Sequence, residues 1–191
     1  MPNKLHEKVL DCLLEYRKDH PEFYFWLRQR DRKNRLSQGL WFQGTENYAF
    51  VGLYNRGGGS NMTRSVGLIF KFADDGSLTL DMEIVWNGET DQQIINFYQH
   101  AINELGGFQK QTKTKYGKML AERNGESAVV DFLNSEKPKL DQLLYRDELA
   151  DTMFIKHEAF DQQLKHISDL RTAYQNGTEK GNHTHNSKMK A

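Results

Sequence analysis

A chain of 191 residues, 37% apolar and 27% charged, with a mean hydropathy of −0.80, has the length of one domain that buries close to two-thirds of its unfolded surface. Its 3 Trp, 8 Tyr and 11 Phe are too many aromatic residues for a disordered segment, and no apolar run approaches the length of a membrane span. Formal charge is zero, from 26 basic and 26 acidic side chains.

Residues 4–18 carry Leu5, Val9, Leu13 and Tyr16 at helical spacing, which predicts an amphipathic helix that Pro21 ends. The run from Phe23 to Arg30 is aromatic enough to predict a strand; residues 31–39 read as a polar loop, and a further strand is expected over 48–54. Val66, Leu68, Phe70 and Phe72 alternate with Gly67, Ile69 and Lys71, and Asp74 to Ser77 supply turn chemistry. Leu78, Leu80, Met82, Ile84 and Trp86 then alternate again, so a β-hairpin is predicted, with Thr79, Asp81 and Glu83 on its polar face. A helix over 91–105 follows, with Thr90 as N-cap, Gln93 completing a capping box, and Gly106 as the terminating residue. Residues 107–125 read as irregular, 127–136 and 139–149 as helices, Met153 to Ile155 as a short strand, and 157–174 as a last helix. The tail from 175 to 191 reads as disordered. The fold class predicted is α+β: a single domain over 1–174, with a curved antiparallel sheet of four or five strands flanked by four or five helices.

The opening residues lack the apolar core of a signal peptide, and a single cysteine, Cys12, fits a reducing compartment, so a cytoplasmic location is expected. No P-loop and no nucleophile elbow occur. Cys12 reads as core filling, and His183 and His185 have no metal-site spacing. No cofactor, metal or catalytic residue is expected. Asp81 and Glu83 are the nearest approach to a paired-acid site, but Ile84, Val85 and Trp86 follow where a lysine would help.

The zero total conceals segregation. Residues 1–72 hold 12 basic and 7 acidic side chains, whereas residues 73–105 hold 7 acidic and no basic ones. Arg28, Arg30, Arg32, Lys33 and Arg35 cluster within eight positions against Asp31, and Arg64 follows beyond the glycine-rich 57–59. Nine of the 32 residues from 23 to 54 are aromatic. Cations that neutralise phosphates, interleaved with rings that stack bases, suit a nucleic acid. Trp41 and Tyr48, beside Gly39, Gly44 and Asn47 at predicted strand ends, are the candidate base-stacking pair.

Phe25-Trp-Leu-Arg-Gln-Arg30, Arg35-Leu-Ser-Gln-Gly-Leu-Trp-Phe-Gln-Gly44, Glu46-Asn-Tyr-Ala-Phe-Val-Gly-Leu-Tyr54 and Met62-Thr-Arg-Ser-Val-Gly-Leu-Ile-Phe70 together resemble the N-terminal modules of McrB-type modification-dependent restriction GTPases, over about residues 5–170. The resemblance implies recognition of double-stranded DNA carrying modified cytosine, with base extrusion into an aromatic pocket in some members. It also implies a motor GTPase or ATPase and a nuclease, encoded nearby, as partners in restriction or phage defence. GTP hydrolysis and cleavage are not expected of this chain, which contains no motor. The alternatives are a protein-interaction module, whose acidic stretches dock a basic partner, and an enzyme using Asp81 and Glu83.

Overall fold

The computed structural model describes residues 1–57 and 62–177. Six strands form one open, curved antiparallel sheet. They are β1 (Gln43–Thr45), β2 (Tyr48–Asn55), β3 (Arg64–Phe72), β4 (Leu78–Trp86), β5 (Gln109–Thr112) and β6 (Lys115–Ala121), in the order β1-β2-β3-β4-β6-β5. The helices are α1 (Lys4–Asp19), α2 (Gln92–Leu105), α3 (Gly125–Ser135), α4 (Lys137–Arg146), the single turn α5 (Ala150–Met153), and α6 (His157–Gln175). None of the described helices is long and apolar enough to cross a membrane.

Register decides which residues meet. Val51 pairs with Leu68 and Leu68 with Met82, while Tyr54 pairs with Val66 and Val66 with Ile84. All six side chains therefore share one face, fully or almost fully buried. Leu5, Val9, Leu10 and Leu13 of α1 pack into the same continuous core, together with Ile94, Phe97 and Ala101 of α2. Each such burial stabilises the fold by about 1.5–3 kcal/mol. A bulge between Gly52 and Tyr54 returns the tyrosine to the core face after one extra residue.

The predicted hairpin, α1, α2 and α6 form as their periodicity requires. Asn3 caps α1 by accepting from the Leu5 and His6 amides at 3.0 and 3.1 Å. At α2 the cap is Asp91, one residue later than expected; its side chain accepts from the Gln93 amide at 2.9 Å. Gly106 ends the helix at φ 65°. Three expectations are corrected. Residues 107–125 contain β5 and β6, which bring the sheet to six strands. The Phe23–Arg30 run is not a strand: it touches the sheet only through a Trp26–Gly52 bridge, because Phe25 is wedged between Phe42 and Phe160. Met153 ends a helical turn instead of opening a strand. Most of the expected tail, with His183 and His185, lies outside the described residues, as do Gly58 and Gly59.

Candidate functional site

Among the described residues, no helix lines the clefts on the second face of the sheet. From β2 this face presents Tyr48 and Phe50, from β3 Ile69 and Lys71, from β4 Asp81 and Glu83, and from β6 Lys115 and Met119. Two clefts open there, of about 400 and 550 Å3, and both are walled by Ile69, Lys71, Glu83 and Lys115. Together they make one trough across the strands. Its β1 end is lined by Gln43, Tyr48, Phe50 and Met62, and its β5 end by Gln109, Gln111 and Met119. Gly52 and Gly67 face each other across β2 and β3, and side chains of Trp26, Met62 and Phe50 take the space beside them; Gly117 on β6 lines the second cleft. The Phe50 ring lies across Gly67, in the space a Cβ there would need.

The trough is amphipathic and nearly charge-balanced. Lys115 Nζ sits 3.1 Å from Glu83. Burial raises the Asp81 carboxyl above its usual range, against the pull of Lys71. The lysine that β4 lacks beside its two acids therefore arrives from β3 and β6. Among the described residues no group of three or more His, Cys, Asp and Glu side chains could hold a metal ion.

The basic cluster divides. Arg28 is 7% exposed, and its guanidinium is spent inside the protein. Nε donates to the Leu40 carbonyl at 2.9 Å, and Nη2 to those of Phe42 and Gly44 at 2.7 and 3.2 Å. It also reaches the Gln43 side chain at 3.5 Å. Arg28 is thus a clamp that closes loop 29–40 onto β1 and is unavailable to a phosphate. Because residues 27–31 form no strand, no pleat sets Arg28 and Arg30 on one face.

Arg30, Arg32 and Lys33 are exposed on that loop, and none has an ion-pair partner among the described residues. The loop is organised from within. Asp31 accepts from the Leu36 amide at 2.7 Å and the Ser37 hydroxyl at 3.2 Å. Lys33 and Asn34 are held at φ 56° and 55°, a left-handed conformation that costs non-glycine residues energy. Arg35 lies 4.0 Å from Glu46. Arg64 does not join the group. It starts β3, roughly 20 Å along the strand from Lys71, and with Arg56 it flanks the almost fully buried Glu89 carboxylate at 3.8 and 3.5 Å.

The aromatic pair also divides. Trp41 is fully buried, with its indole N–H bonded to Glu7 at 2.6 Å. No face of it is open to a base, and its proposed stacking role is withdrawn. Tyr48 is 37% exposed and stands at the mouth of the trough. The ring beside it is Phe50, 7% exposed, which stands outside the main core cluster and lies across Gly67. Ile69 and Lys71 fall out of phase with the buried alternation of β3 and mark this face. Cys12 is half-buried on α1, and burial pushes its thiol up to about 11, the character of a packing residue rather than a nucleophile.

Comparison with protein-family models, with curated proteins and with solved structures finds no match to this chain.

Proposed function

We propose that the chain is a non-catalytic nucleic-acid-recognition module. Arg30, Arg32 and Lys33 hold the phosphate backbone, and the Tyr48–Phe50 end of the trough takes an extruded base. The observation that carries this reading is the clamp. Arg28 fastens the loop bearing three unpaired cations to the strand whose Gln43 lines the trough. That link ties the loop of the phosphate grip to the strand that borders the base cleft.

Stacking in the cleft offsets much of the cost of extrusion. Unstacking a base costs a few kcal/mol, and stacking on an aromatic side chain returns about 1–3 kcal/mol per base. Gln43 and Glu83 supply hydrogen-bonding groups at this end of the trough for a base edge. With the McrB-type resemblance, the ligand is duplex DNA carrying a modified cytosine. The setting is then a cytoplasmic restriction or phage-defence system that also uses a motor GTPase or ATPase and a nuclease.

A salt titration on duplex DNA tests the grip. Three neutralised phosphates give a slope of log affinity against log salt near −3, and R30A/R32A/K33A removes most of it. Tyr48→Ala leaves that slope intact and abolishes the fluorescence rise of a 2-aminopurine placed at the target base. Absence of binding at low salt, or a slope untouched by the triple change, overturns the proposal.

A further inference from the structure

A larger groove, of about 990 Å3, lies on the helix-covered side between the end of α1, the face of α4 and the α5–α6 junction. We infer that it docks an arginine-bearing segment of a protein partner.

Its floor already shows how it treats cations. Lys137 Nζ bonds both Asp141 oxygens at 3.0 and 2.9 Å, and Asp141 also accepts the Tyr54 hydroxyl. The same ammonium lies 5.9, 5.7 and 5.8 Å from the ring centres of Phe23, Tyr54 and Phe154. Close by, the Arg17 guanidinium sits 4.9 Å from Tyr24 and 4.6 Å from Phe160. Two of the chain's own cations are thus held on aromatic faces in and beside this groove.

The parts left open repeat that chemistry without a cation to fill it. Tyr145 is 65% exposed. Tyr16 stacks on His20 at 4.0 Å, a further flat wall at the end of α1, whereas Tyr24 already carries both His157 and Arg17. Glu22, Asp151 and Glu158 are exposed there with no ion-pair partner among the described residues, against the lone Lys156.

Aromatic faces with unpaired carboxylates select a cation. A guanidinium fits better than an ammonium, because it is planar, weakly hydrated, and able to stack on a ring while forking onto a carboxylate. The same carboxylates repel phosphate, so a nucleic acid is the wrong ligand for this side. None of Arg30, Arg32 and Lys33 lines this groove.

The test is fluorescence anisotropy of the full chain with a labelled decapeptide carrying three arginines, beside its lysine and glutamate counterparts. The arginine peptide binds, the lysine peptide binds at least fivefold more weakly, and the glutamate peptide does not bind. Glu22→Lys with Asp151→Lys weakens the arginine peptide at least tenfold. Tyr145→Ala weakens it severalfold, and R30A/R32A/K33A leaves it unchanged. All these positions are exposed, and an unchanged melting temperature verifies folding. No binding at low salt, equal binding of the lysine peptide, or indifference to the charge reversals overturns the inference.

Discussion

Trp41 donates its indole N–H to Glu7 Oε1 at 2.6 Å, and Arg171 grips the same carboxylate, its Nε 3.0 Å from Oε1 and its Nη2 3.0 Å from Oε2. One side chain of α1 thereby ties the approach to β1 to the last helix. The indole is a strut, and the loop of Arg30, Arg32 and Lys33 springs from the segment it anchors.

Glu7→Ala strands the buried indole N–H and leaves the Arg171 guanidinium, 21% exposed, with Asp11 alone. The expected loss is about 1–3 kcal/mol. Glu7→Gln keeps an oxygen for Trp41 and costs less. Urea denaturation of the two variants measures both effects, and a loss below about 0.5 kcal/mol for the alanine variant refutes the strut.

Stability depends on pH through His6. Its imidazole is fully buried, with Nε2 donating to the Thr45 carbonyl at 2.9 Å and Nδ1 accepting from the Phe42 amide at 3.1 Å. That arrangement requires the neutral ring, and burial lowers its pKa from 6.5 to about 4. Unfolded, the ring takes a proton near 6.5, so the unfolded state binds more protons between these values. The contribution is complete above about pH 6.5 and falls by up to about 1.4 kcal/mol per pH unit towards pH 4. Urea melts across that range show the slope, and in His6→Gln this component is flat.

Gly67→Ala tests the floor of the trough. The added methyl would occupy the space of the Phe50 ring, which must swing outward into the cleft. We expect a loss of about 1–3 kcal/mol from overpacking, together with weaker nucleic-acid binding at an unchanged salt slope. Denaturation and a salt titration on the same variant separate the two. Unaltered affinity shows that the ligand does not enter this cleft.

Much of the architecture was legible in the residue pattern. Alternation in 66–72 and 78–86, and the apolar stripes of α1 and α2, reflect one buried face each, and that burial is what periodicity encodes. β5 and β6 escaped because Gln109 to Thr112 are all exposed and the residues of β6 are at best half-buried. Their place is set by backbone pairing of Tyr116 with Ile84 and of Gln109 with Gly117, which leaves no apolar rhythm. The aromatic run from Phe23 misled for the opposite reason: buried on several sides, it has no polar face to mark a period.

What the residues determined by themselves was the α+β class, the strong hairpin, and the concentration of cations in 28–35. Only the tertiary structure decided how those cations are used. Arg28 and Arg30 stand two positions apart, yet carbonyls of residues 40, 42 and 44 consume the first while the second meets water. Periodicity reports local geometry, whereas exposure and hydrogen-bond partners depend on which distant segment arrives. That separates a sealed indole at position 41 from an open phenol at position 48.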